Sequence, residues 1–351
     1  MSSVTDTVPA KAPPLRLRWQ PGWGERLFVP GVLLALCVYL SLANQYFLTG
    51  TNVENVLIQA SILAIVSFGV TFVVLAGELD LSVGSGTALA SVVCAMVMRD
   101  SGSILLGVLA SLGVGALLGV VNGLVVTRLE VPSFIATLGM LTVASGIALH
   151  LANGQVIVGL PSGIGSLANG KLLGVNYVIW LVFVVFAVLW VVQRQTAFGM
   201  RVFATGGNPE AARLSGIPVD RIRLLAFVLV GLTVGIAGVA LTARVQSGQP
   251  NAGYLLELYA VAAIVVGGTS LRGGRGSVAW TLWGVLLIST LKNGLDLQGV
   301  GEDLKQVIIG VVFIAAASVD FFRRQLARRR LRGGGEGPPA AAQAPAGPNP
   351  Q

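Results

Sequence analysis

Apolar runs of about bilayer length dominate the chain, separated by short polar or charged pieces. They fall at roughly 28–46, 56–76, 83–98, 103–126, 132–152, 176–193, 222–244, 255–270, 277–292 and 304–322. Hydrocarbon offers no water to a backbone amide, so each run predicts a helix that closes its own hydrogen bonds. The fold class expected is an all-α membrane protein, a polytopic helical bundle of about ten transmembrane helices. Residues 1–27 form an N-terminal segment, 28–322 the membrane domain with a polar stretch at 194–221, and 323–351 a tail. Around residue 80 two readings stay open, a full turn between two spans or one broken helix.

Composition supports the membrane class. Of 351 residues 54% are apolar and 11% charged, against about a quarter charged in soluble domains. Mean hydropathy is +0.81. A soluble enzyme surface cannot be built from that supply. The net charge of +8 does not point to nucleic acid, because positive residues gather in cytoplasmic loops. With the N-terminus placed inside, 18 of the 23 Lys and Arg fall in cytoplasmic pieces, and the C-terminus is cytoplasmic too. Segment 1–27 is too long and irregular for the start of a signal peptide, and no small-residue cleavage site follows Phe28–Tyr46. The cluster between Arg323 and Arg332 reads as an anchor beside anionic membrane lipid. Residues 333–351, mostly Gly, Pro, Ala and Gln, are expected to be a disordered tail. Cys37 and Cys94 lie in apolar runs and are expected to be packing residues.

Glycine recurs inside the runs. Gly115, Gly119 and Gly123 repeat every fourth residue, as do Gly231 and Gly235. In lipid such stripes let helix backbones approach closely, so they predict a compact bundle.

Two stretches carry candidate chemistry. Gly77–Gly86 holds Glu78 and Asp80 between two apolar runs, with Ser82, Gly84 and Ser85 following. Carboxylates near membrane depth face a bundle interior, a cavity or the interface, so the stretch is either a hinge or pathway-lining element or a plain acidic turn. The second stretch, Phe203–Pro218, is punctuated as a short helix. Asn208 suits the N-cap, Pro209 the first helical position and Glu210 the positive end of the dipole. Gly216 suits the position after the C-cap, and Pro218 prevents continuation. Such a helix is a docking knob for a cytoplasmic partner or a passive connector. Gly165–Lys171 nearly matches a phosphate loop, but Leu172 stands where Ser or Thr should hold magnesium and no strand precedes it. No nucleotide site is therefore expected in this chain. His150, the only histidine, is expected to be an interface residue, and no metal cluster is apparent.

Four stretches resemble the permease subunits of bacterial ATP-binding-cassette sugar importers, of the ribose/xylose branch: Gly77–Gly84, Val131–Leu138, Gly206–Ile217 and Val265–Ser277. The likeness runs from about Phe28 to Arg324. The acidic element reads Gly-Glu-Leu-Asp here, where the family more often has Gly-Ile-Asp. The resemblance implies an inner-membrane subunit that translocates a monosaccharide, is not itself an enzyme, and binds no cofactor. It implies cytoplasmic ATPase subunits, a periplasmic sugar-binding protein and a second permease copy as partners. Gly206, Gly207, Asn208, Pro209, Glu210, Ala211, Ala212, Ser215 and Gly216 would form the ATPase-coupling segment, with Glu78, Asp80, Ser82 and Gly84 at the pathway or hinge. Nucleosides and branched-chain amino acids are the related alternative substrates. A stand-alone secondary transporter is the alternative of another class; it requires an intramembrane ion site, and beyond Glu78 and Asp80 the runs offer little besides Glu257.

Overall fold

A computed structural model describes residues 23–315 and Ser318. Most of segment 1–27, the arginine cluster and the tail lie outside the described residues. The helices run α1 Trp23–Ala43, α2 Gly50–Leu75, α3 Val83–Ser101, α4 Ile104–Arg128, α5 Ser133–Leu151, α6 Gly163–Asn169, α7 Tyr177–Gln195, α8 Ala197–Gly207, α9 Pro209–Leu214, α10 Val219–Val245, α11 Leu256–Val266, α12 Val278–Leu297 and α13 302–315. A two-residue hairpin, β1 Lys171–Leu172 with β2 Val175–Asn176, lies between α6 and α7. Each apolar run expected from the sequence holds one helix. By length and composition α2, α4, α5, α7 and α10 suffice to cross a membrane.

At the centre, α10 packs against α4, α2 and α3. α2 is buried continuously from Ala60 to Leu75. Helices apolar on every side belong in such a place. The glycine stripes explain the tightest contact. A Cβ on Gly115 would stand 2.2 Å from the Gly231 carbonyl oxygen, and one on Gly119 2.3 Å from that of Phe227. The backbones of α4 and α10 therefore touch, and Ser111 Oγ donates to the Gly235 carbonyl across the seam at 2.8 Å.

Two elements differ from expectation. The run at 255–270 is helical only over Leu256–Val266, about 16 Å of rise and half a bilayer. Gly267 and Gly268, the latter at φ +87°, turn the chain there. Within the polar stretch, expected as a loop as far as Phe203, residues 197–207 form α8, with Gly199, Val202 and Gly206 on its buried side. Phe198 of α8 stacks on Phe72 of α2, centroids 6.2 Å apart. The near phosphate loop is α6 followed by β1.

Candidate coupling site

The four stretches that carried the resemblance converge at one end of the bundle. α9 is fixed by its own termini. Asn208 Oδ1 accepts from the Ala211 N–H at 3.1 Å, and Pro209 takes the first helical position. Gly216 stands at φ +78°. Its N–H reaches the Arg213 carbonyl at 2.9 Å, and the Ile217 N–H reaches that of Ala212 at 3.0 Å. These two bonds make a Schellman stop. The remaining surface is open. Glu210, Ala211, Arg213 and Ser215 are exposed and Leu214 is 91% exposed, while Ala212 faces inward. An exposed leucine on a short, doubly capped helix is a rigid apolar knob.

The root of that knob is a seam of glycines. A Cβ on Gly206 would lie 1.8 Å from the Leu75 carbonyl oxygen, and one on Gly274 2.6 Å from Gly207 Cα. Gly273 likewise abuts Gly77 and Gly206. The Gly274 N–H donates to the Leu75 carbonyl at 2.9 Å. The end of α2, the end of α8 and the 267–276 loop thus share one backbone contact.

From Gly77 (φ +87°) the chain runs without helix to Ser82. α2 ends before this stretch and α3 begins after it, at Val83. Asp80 is 2% exposed. Its Oδ1 accepts from the Ser82 N–H at 2.9 Å and from Ser82 Oγ–H at 2.6 Å, while Asn122 Nδ2 donates to Ser82 Oγ at 2.9 Å. Ser133 Oγ accepts from the Leu79 N–H at 3.1 Å. Asn122 thus ties the connection to α4, and Ser133 ties its backbone to α5. Glu78 Oε1 lies 3.0 Å from Arg223 Nε near the start of α10. Gly84 begins α3 so close to the 248–255 loop that a Cβ would strike the Gly253 carbonyl at 2.5 Å and Glu257 Oε2 at 2.0 Å.

Sequence reasoning placed α9 and the acidic stretch but missed what holds them: Asn122, Ser133, Arg223, Glu257 and α8. In the sequence Arg223 is one charge at the head of an apolar run, and Glu257 one acid within another. Asn122, a lone amide inside a glycine-rich apolar run, was the available signal. No metal-binding group of three or more His, Cys, Asp or Glu occurs among the described residues.

Beside α9 lies an open groove of about 510 Å³ lined by Arg128, Arg213, Gly216, Pro218, Arg221 and Leu224. It continues into a second hollow of about 360 Å³ that Glu78, Glu130, Ser133 and Arg223 line. Arg213 and Asp220 belong to both.

Residues 52–317 match the family described as branched-chain amino acid transport system / permease component. The ribose import permease of Bacillus subtilis is 41% identical over 82% of this chain and 90% of its own length. That of Escherichia coli is 39% identical over 82% and 91%. The L-arabinose ABC transporter permease of Azospirillum brasilense is 36% identical over 85% and 88%. No solved structure matches. With five helices fit to cross a bilayer, the chain is a multi-pass inner-membrane protein. Matched over most of its length, it belongs to the permease-component family of solute transport systems.

Proposed function

We propose that this chain is the membrane subunit of an ATP-binding-cassette importer for a monosaccharide such as ribose or arabinose. About ten helices cross the membrane, with both termini and α9 on the cytoplasmic side. ATP is hydrolysed on separate ATPase subunits, a periplasmic sugar-binding protein delivers the solute, and two copies of this chain stand side by side in lipid. This chain supplies a gated path whose two access states the ATPase biases. One observation carries the coupling role: α9 packs on α8 and α10, and the glycine seam at the end of α8 abuts the start of the acidic connection at Gly77, while Leu214 at its end is 91% exposed. A rigid element exposed at its tip and joined at its base to a deep connection can transmit displacement. Among the hinge and pathway roles for Asp80, its burial favours the hinge. The sugar assignment rests on the relatives named for ribose and arabinose.

The test is uptake of labelled ribose and arabinose into vesicles holding the whole complex, with Gly216→Val and Glu210→Arg as variants. The first puts a β-branched residue in left-handed backbone. The second sets a cation against the positive start of a helix, unfavourable by roughly 0.3–1 kcal/mol where exposed. Wild type should accumulate a monosaccharide only with ATP and binding protein; the variants should assemble yet accumulate less. Uptake of branched-chain amino acids instead would overturn the substrate reading. Unimpaired uptake in both variants would overturn the coupling role.

A further inference from the structure

Two ion pairs sit on one face at the start of α10. Asp220 and Arg223 are three residues apart, so their side chains neighbour each other on the helix. Asp220 Oδ1 reaches back to Arg213 of α9 at 2.7 Å, with both side chains more than half exposed, at 54% and 58%. Arg223 reaches the other way, to Glu78, at 3.0 Å with exposures of 22% and 11%. The two hollows beside α9 meet along this line, sharing Arg213 and Asp220.

We propose that Arg223 and Glu78 are positioning residues of the transport cycle, joining the motion of α9 to the Asp80 connection through the first turns of α10. The inference rests on the coupling role of α9 and names the route that role takes. The physical case is an asymmetry between the pairs. The exposed Arg213–Asp220 pair lies in high dielectric and is worth about 0–1 kcal/mol, so it can break and re-form as α9 tilts. The Glu78–Arg223 pair is less exposed, at 11% and 22%, and removing one partner leaves the other partly buried charge without its counter-charge, so α10 and residue 78 move together. Glu78 lies two residues before Asp80, on a connection with little slack. The Glu78 N–H is bonded to the Val73 carbonyl at 3.0 Å, the Leu79 N–H to Ser133, and Asp80 to Ser82. Pulling Arg223 therefore displaces the segment that Asn122 and Ser133 anchor to α4 and α5. A purely structural pair would stabilise the same arrangement without caring what α9 does.

The experiment uses the full complex in vesicles and reads how far sugar-loaded binding protein stimulates ATPase activity, with Gly216→Val alongside as the probe of α9 itself. Glu78→Gln and Arg223→Gln should each lower stimulation about fivefold or more, the lower end of ordinary inter-site coupling. The exchanged pair Glu78→Arg with Arg223→Glu should recover a substantial part. Asp220→Asn and Arg213→Gln, at exposed positions that do not threaten folding, should lower stimulation more mildly. If the Glu78 and Arg223 variants do not assemble, those two decide: wild-type stimulation in both overturns the route. Normal stimulation in Glu78→Gln and Arg223→Gln while Gly216→Val is impaired also overturns it and leaves the α9 reading standing. If Gly216→Val is normal as well, the underlying reading has failed.

Discussion

At the scale of single residues, the site is governed by which polar groups are buried together. Asp80 accepts twice from Ser82 and also meets the Asn122 amide, and Ser82 in turn accepts from Asn122. Replacing Asp80 by Ala leaves the Ser82 hydroxyl and N–H short of an acceptor where water is scarce, at about 1–3 kcal/mol for each buried group left unpaired. We expect Asp80→Ala to lower uptake strongly while some complex still forms, and Asn122→Ala to lower it less, measured as labelled-sugar uptake normalised to membrane-inserted protein. Wild-type uptake in Asp80→Ala would reduce the connection to a plain turn. Gly206 is constrained differently, by volume alone. Its missing Cβ would sit 1.8 Å from the Leu75 carbonyl oxygen, and backbone cannot rotate aside as a side chain can. Gly206→Ala should therefore part α8 from α2 and lower both thermal stability and stimulated ATPase activity. Gly207→Ala, where a Cβ meets open space, should be tolerated.

At the scale of elements, the sequence was most legible where one residue type fixes a contact or a terminus. The glycine stripes of α4 and α10 pack against each other, and Asn208 and Gly216 bound α9. Gly119→Leu should test the first of these: overpacking a tight seam costs about 1–3 kcal/mol or more, so a detergent-solubilised sample should melt at lower temperature than wild type, whereas Gly113→Leu, facing open space, should not. Other elements were hidden for physical reasons. α8 carries Arg201 and two terminal glycines and so reads as loop; only the spacing of Gly199, Val202 and Gly206 marks its buried side. α11 stops early although hydropathy stays high, because Gly267 and Gly268 break the helix without adding charge. The partnership of Glu78 with Arg223 joins residues far apart in the chain, and nothing local announces it.

At the scale of the whole molecule, the proposed function requires the rigid exposed knob to lie on the cytoplasmic face, with the acidic connection behind it joined by glycine contacts and by the first turns of α10. The knob's side and its partner are the central claim. Ala212 is 4% exposed, so the position to interrogate is Leu214, at 91%. With Cys37 and Cys94 replaced by Ser or Ala, Leu214→Cys can be challenged with an impermeant thiol reagent in right-side-out and inside-out vesicles, with and without the ATPase subunits. Ser166→Cys, on the exposed side of α6, and Gln298→Cys, just after α12, report the opposite face. If α9 docks the ATPase, residue 214 is labelled only from the cytoplasmic side, and the labelling is lost when the ATPase is bound. Labelling from the periplasmic side, or labelling that the ATPase leaves unchanged, would contradict it.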